Sequence, residues 1–160
     1  MNIRSYTAKD YPSLVRFMEE LQDYLMNIDP LKRCRRLTDY GKTYTNNLLK
    51  EIKKSKGVIF LVEDKGKLIG IVAGEIKKQT KENLLECVPS KPGYIKELFV
   101  SKEYRSKGIG KLLMDHIENY FKKKNCTVVI INVLTANPAH QFYNDLGYKD
   151  NYTDVIKALK

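Results

Sequence analysis

Apolar positions along this chain change their spacing from one stretch to the next, and the spacing predicts the elements. Asn2 to Tyr6 reads as a short opening strand. Thr7 follows with a hydroxyl suited to capping a helix, and Asp10, three positions on, complements the positive end of that helix. Tyr11, Leu14, Val15, Met18, Leu21 and Leu25 recur at intervals of three and four, which on a helix places them along one face. Pro12 falls in the first turn, where its missing N–H does little harm, and Asp29-Pro30 ends the run. A polar, basic stretch containing Lys32, Arg33, Arg35 and Arg36 leads into a second helix from about Asp39 to Lys54. Tyr40, Tyr44, Leu48, Leu49 and Ile52 lie on one side of it, and Gly57 closes it.

Val58 to Val62 is a continuous apolar run, and Asp64-Lys65-Gly66-Lys67 turns it back into Leu68 to Ile76. These two strands should pair antiparallel. Residues 77 to 92, with lysines and prolines, read as a polar loop, and Tyr94 to Val100 as the next strand. A helix from about Gly108 to Lys124 carries Ile109, Leu112, Leu113, His116, Ile117 and Tyr120 on one stripe. Cys126 to Leu134, rich in β-branched residues, predicts a deeply buried strand. Asn137-Pro138 opens a short helix stopped by Gly147, and Asp154 to Leu159 fits a final strand. The segment from strand 94–100 through helix 108–124 to strand 126–134 has the length of a parallel crossover. The expectation is an α/β sandwich in one domain over residues 1–160, with a mixed, mostly antiparallel sheet of about six or seven strands and about four helices.

Composition narrows the function classes. With 160 residues, 42% hydrophobic and 30% charged, the chain has the balance of a globular domain able to bury a core. No apolar run approaches the roughly 20 residues a membrane span needs, and the first residues lack the apolar core of a signal peptide, so a cytoplasmic protein is expected. Cys34, Cys87 and Cys126 are scattered without metal-ligand or CxxC spacing, which speaks against a disulfide framework, a zinc site or any other metal. The formal net charge of +10 favours anionic partners: nucleic acid, a membrane surface or a phosphorylated small molecule.

The chemistry gathers after the strand ending at Val100. Arg105-Ser106-Lys107-Gly108-Ile109-Gly110 places two glycines at a helix start, where free N–H groups and the helix dipole form an anion site, and Arg105 and Lys107 add charge beside it. The Walker pattern is missing, since no Gly-Lys-Ser/Thr follows, and so are the third glycine and acidic partner of a dinucleotide-binding turn. A pyrophosphate fits the turn; a tight strand-to-helix connection without ligand is the other reading.

Two stretches carry a resemblance. Tyr94-Ile-Lys-Glu-Leu-Phe-Val-Ser-Lys-Glu-Tyr-Arg-Ser-Lys-Gly-Ile-Gly-Lys-Leu-Leu is similar to motif A of the GNAT superfamily of N-acetyltransferases, with its Arg/Gln-x-x-Gly-x-Gly/Ala core after a strand. Ala139-His140-Gln141-Phe142-Tyr143-Asn144-Asp145-Leu146-Gly147-Tyr148 resembles motif B. Both stand in the family's order and spacing, and the element order matches its fold over essentially the whole chain. The resemblance implies acetyl-CoA as co-substrate and no metal. It also implies backbone contacts from Leu98, Phe99 and Val100 to the acetyl and pantetheine arm, where two central strands splay apart. The N–H groups of Arg105, Ser106, Lys107, Gly108, Ile109 and Gly110 would cradle the pyrophosphate, Asn137 would reach the pantetheine or phosphates, and Tyr143 would stand near the sulfur. One departure concerns Asn137: the family's asparagine position is Ala136 here, and Asn137, one residue late before Pro138, also suits a helix cap. Dimers are common in families of this type, so a homodimer is possible.

Transfer to an amine needs a base, a stabilised oxyanion and a proton for the departing thiolate. Tyr143 suits the last role as a neutral donor, or packs as an aromatic. Glu97, a carboxylate in an apolar strand, suits the base, because desolvation would raise its pKa. Alternation groups it with Ile95 and Phe99, away from Leu98 and Val100. An ion pair at the sheet surface is its other reading, and Glu75 is the second candidate. His116, on the helix stripe, is expected to pack, and His140 to face solvent or the cofactor's edge.

The leading function is direct transfer of an acetyl group from acetyl-CoA to a primary amine in a ternary complex. The acceptor stays open between small-molecule amines (an antibiotic or polyamine among them) and protein amines. A CoA-binding sensor and a basic nucleic-acid-binding module are the alternatives. The lysines are too dispersed, and a groove-entering motif too plainly missing, to favour nucleic acid.

Overall fold

The computed structural model describes residues 1–159. In chain order the elements are β1 (Asn2–Ser5), α1 (Tyr11–Ile28), α2 (Tyr40–Lys54), β2 (Val58–Asp64), β3 (Lys67–Ile76), α3 (Asn83–Glu86), β4 (Pro92–Val100), α4 (Ile109–Lys123), β5 (Val128–Ile131) and α5 (Ala139–Asp145). The sheet has the order β1-β2-β3-β4-β5, antiparallel throughout except for the parallel β4–β5 pair. The mixed α/β architecture is the expected one, with five strands instead of six or seven and a single extra turn of helix, α3, inside the 77–92 loop.

Alternation along β2 and β3 sends side chains to two cores. On one face Leu14, Phe17 and Met18 of α1 and Leu48 and Ile52 of α2 pack on Ile59, Leu61, Ile71, Ala73 and Phe99. On the other, Ile109, Leu113, Met114, Ile117 and Phe121 of α4 pack on Val62, Ile69, Val72 and Ile95. Phe17 completes the buried face of α1, one turn from Leu14 and Leu21, although the apolar count favoured its neighbour Val15, which is only half-buried.

Two expectations need correction. Residues 126–134 do not form a deeply buried strand: β5 spans Val128–Ile131, with Val128 43% and Ile130 36% exposed. It is the edge of the sheet, and α1 and α2 lie over β2 and β3, so only the face of Val129 and Ile131, toward α4, is covered. Residues 154–159 are not a strand and are exposed throughout. Val155 and Ile156 are adjacent and so break the two-residue alternation, which leaves this short segment without an apolar face to bury.

One polar cluster ties the amino-terminal elements together. Arg4 on β1 donates through both terminal nitrogens to Asp10, at 2.8 and 2.7 Å, and through Nε to Glu63 on β2 at 3.2 Å. The N–H and hydroxyl of Thr7 also donate to Asp10 Oδ2. Arg4 and Thr7 hold the buried Asp10 carboxyl well below the usual carboxylate range. Asp10→Ala should therefore cost about 2 kcal/mol at neutral pH, the magnitude of lost charge-assisted hydrogen bonds. Because the folded-state pKa is depressed, the deficit should be complete above the unfolded carboxylate pKa and shrink as the pH falls below about 4. Denaturant unfolding of both proteins between pH 3 and 7 measures it.

Candidate active site

The site begins where β4 and β5 part. Their pairing runs from Pro92 opposite Val128 to Ile95 opposite Ile131 and stops there, whereas β4 continues to Val100 with β3 alone beside it. The Ser101 N–H donates to Ile69 O on β3 at 2.9 Å. Since backbone groups alternate in direction along a strand, Phe99 uses its amide in the ladder with β3, while Leu98 and Val100 turn theirs to the open edge. The Val100 carbonyl accepts from Arg105 Nε at 2.9 Å. Of the three strand residues expected to meet an acyl arm, Leu98 and Val100 offer free N–H groups, and Phe99 contributes its ring to the core.

Beyond Val100 a tight helical turn at residues 102–104 uses the Arg105 N–H, which donates to Lys102 O at 3.3 Å. The chain then bends through left-handed conformations at Ser106 (φ 58°) and Gly108 (φ 77°) into α4. Among the described residues, none of the N–H groups from Ser106 to Lys111 has a protein acceptor. These donors sit at the positive end of a 15-residue helix, an arrangement that binds anions. The run of free donors thus starts at Ser106, since the Arg105 N–H is already bonded. The Arg105 guanidinium turns inward, 5.0 Å from the Tyr24 ring centre and 5.8 Å from that of Phe99, and Lys107 stands 5.3 Å from that of Tyr104. Gly110 also has a packing role: a Cβ there would lie 3.2 Å from Phe142 Cζ, so the second glycine lets α5 close against α4.

Glu97 lies on the α1–α2 side of the sheet, and its phase comes from a β-bulge. Ala73 pairs with Glu97 but Gly74 pairs with Ile95, leaving Lys96 as an extra residue in β4. Ile95 consequently packs in the α4 core while Phe99 packs under α1. Simple alternation, which grouped Ile95 with Glu97 and Phe99, fails at that point. Glu97 is 7% exposed, and burial pushes its carboxyl up to about 7 against the opposing pull of a hydrogen bond from Tyr44 and the charge of Lys96. The Tyr44 hydroxyl donates to Glu97 Oε1, and no other hydrogen bond reaches this carboxylate among the described residues. Glu75 is equally buried but sits 3.6 Å from Lys77 Nζ and 3.8 Å from Lys96 Nζ, so its charge is already compensated.

Tyr143 on α5 is buried in the α4 core, with its ring against those of Phe142 and Tyr148. Burial and the charge of Glu97 push its phenol up to about 12, so it keeps its proton at neutral pH. Asn137 acts as a cap: its Oδ1 accepts from the Ala139 N–H at 3.0 Å and from the Tyr24 hydroxyl at 3.3 Å. His116 is exposed and sets its ring edge-on against Phe60, and His140 Nε2 lies 2.7 Å from Asp150 Oδ1. Among the described residues no three His, Cys, Asp or Glu side chains gather as a metal site, and no helix is long and apolar enough to cross a membrane. The residues that pattern reading did not single out are Tyr24, beside Arg105, and Tyr40 and Tyr44, beside Glu97; the one signal for the last two was a pair of aromatics on the otherwise aliphatic stripe of α2.

Comparison with known proteins bears on the fold and the family. The chain is 27% identical over 150 residues to an N-alpha-acetyltransferase 60 of Danio rerio, covering 84% of this chain and 62% of that protein. The chain therefore spans less than two thirds of that relative's length. Among solved structures, an aminoglycoside 6'-N-acetyltransferase from Acinetobacter haemolyticus superposes with a TM-score of 0.74 at 14% identity, covering 100% of this chain and 99% of that one. A predicted acetyltransferase from Clostridium acetobutylicum, solved with acetyl-CoA, gives 0.71 at 20% identity, covering 99% of this chain and 95% of that one. The acetyltransferase (GNAT) family model matches residues 15–148, and the chain belongs to that family.

Proposed function

We propose that the chain is an N-acetyltransferase that moves an acetyl group directly from acetyl-CoA to a primary amine, in a ternary complex and within one domain. The observation that carries this reading is the unsatisfied run of N–H groups from Ser106 to Lys111, opening beside the free edge of β4. A pyrophosphate matches the first donor set in charge and hydrogen-bonding capacity. The amide groups of a pantetheine arm match the second, since they need both donors and acceptors from a strand edge. The Asn137 oxygen is committed to capping α5, which argues against a strong cofactor contact from it.

The residues divide the chemistry between them. Glu97 takes a proton from the incoming ammonium through Oε2, the oxygen that Tyr44 leaves free. The Leu98 and Val100 N–H groups stabilise negative charge on the acyl oxygen. As the C–N bond forms and the C–S bond breaks, the Tyr143 hydroxyl gives its proton to the sulfur, and the second proton lost by the nitrogen restores the phenol by way of solvent. A carboxyl near 7 is well placed for the base, ionised in part at neutral pH yet basic enough to accept a proton. The named relative acts on an N-alpha amine, which makes a peptide or protein amino terminus one acceptor to test beside small amines. A family member that binds CoA only as a sensor would share the cradle but not the turnover.

Acetyl-CoA should raise the unfolding temperature in proportion to the logarithm of its concentration, because only the folded chain holds the cradle. A thermal-shift titration that stays flat up to millimolar ligand excludes the reading. With an active acceptor chosen from an amine panel by free-thiol release, Glu97→Gln should lower kcat/KM by about 100-fold. The same substitution should abolish the acidic limb near pH 7, since activity needs the ionised carboxylate and rises with pH through that value. Tyr143→Phe should lower kcat about tenfold or more with little change in the KM for acetyl-CoA, because the lost proton serves only the transition state. Both variants inactive toward every amine, as the parent is, would favour the sensor.

A further inference from the structure

We propose that Tyr44 is a positioning residue for Glu97: its hydroxyl holds Oε1 and so fixes which oxygen, Oε2, faces the acceptor amine. This rests on the reading of Glu97 as the base. The geometry behind it runs across three elements. Tyr44 on α2 stacks on Tyr40 one turn earlier, with ring centres 5.2 Å apart and planes inclined by 21°. The Tyr40 hydroxyl donates to Gln22 Oε1 on α1 at 3.2 Å, and Gln22 Nε2 donates to Arg35 O at 2.9 Å in the basic segment between the helices. Tyr44 is therefore braced by Tyr40 and, through Gln22, by α1, and its hydroxyl meets the carboxylate from a supported ring.

Four titratable or charged groups face Glu97: Tyr40 and Tyr44 from α2, Lys96 from β4 and Tyr143 from α5. Lys96 is drawn off to Glu51, 2.9 Å from its ammonium, and to Glu75. The charge of Glu97 helps push the Tyr40 and Tyr143 phenols upward, and neither hydroxyl hydrogen-bonds the carboxylate. Tyr44 is the group among the described residues that touches the carboxylate, and it donates to the ionised form. Burial opposes that form, and the hydrogen bond partly restores it. Tyr44 itself keeps its proton, because burial and the adjacent Glu97 charge both push its phenol upward. Its contribution is thus orientation and a lowered carboxyl pKa, not proton transfer.

The test compares the wild-type chain with Tyr44→Phe and Tyr40→Phe by carbon-13 titration of labelled glutamate carboxyls, with Glu97→Gln to assign the Glu97 signal. Tyr44→Phe should raise the Glu97 midpoint by about one pH unit and move the acidic limb of kcat/KM by the same amount. Tyr40→Phe, which keeps the Tyr44 hydroxyl, should leave the midpoint in place. A loss of folding stability alone would lower the unfolding temperature without moving the midpoint, so the titration separates positioning from packing. An unmoved midpoint in Tyr44→Phe, with Glu97→Gln inactive, overturns the role of Tyr44 and leaves Glu97 as base. Full turnover by Glu97→Gln overturns the base and with it any catalytic role for Tyr44, whatever the midpoint does.

Discussion

A backbone N–H withdrawn from water needs an acceptor, and most of this chain's find one in helices and in the ladders of the sheet. At the end of β4 and the start of α4 a row of them has no protein acceptor among the described residues. β4 and β5 separate after Ile95 and Ile131, so the last residues of β4 have a partner strand on one side only. The following turn then delivers the start of α4 with its donors from Ser106 onward unused. Parallel pairing makes this possible, because a crossover helix must leave the end of the first strand and return to the beginning of the second. The same connection that builds the sheet thus creates an open strand edge and a positive helix end next to each other. The backbone donors of the site follow from that shared origin.

Around this opening the two sides of the sheet contribute different chemistry. The α4 side supplies apolar support and Tyr143, a phenol kept neutral by burial. The α1–α2 side supplies Glu97, held by a neutral phenol, and keeps Glu75 between two lysines. Two carboxylates of equal burial, near one another on paired strands, are given different surroundings by their neighbours. Two ammonium groups compensate the charge of Glu75, whereas Glu97 has a hydroxyl as its hydrogen-bond partner.

Much of this was legible in the residues themselves. The periodicity of α1, α2 and α4 located both helical layers, the hairpin at Asp64–Lys67 gave the antiparallel register, and the glycine turn after Val100 marked the helix start whose N–H groups are free. What failed has physical reasons. The burial of β5 depends on where α1 and α2 end up, which its β-branched composition does not reveal. The face of Ile95 depends on a bulge, a property of two strands in register and invisible in one. The inward fold of Arg105 and the hydrogen bond from Tyr44 join residues 81 and 53 positions apart from their partners Tyr24 and Glu97, beyond the reach of any local pattern.

The bulge at Lys96 acts on β4 as a phase shift. Both stretches of the strand pair with β3, Ile95 with Gly74 and Glu97 with Ala73, and Lys96 is the one residue left over between them. If Lys96 instead paired with Ala73 in plain alternation, every later residue would move by one place, and Glu97 and Phe99 would exchange faces with Leu98 and Val100. That change would drive a carboxylate into the α4 core and turn the free amides toward β3. A single unpaired residue therefore decides on which side of the sheet the carboxylate of Glu97 is presented.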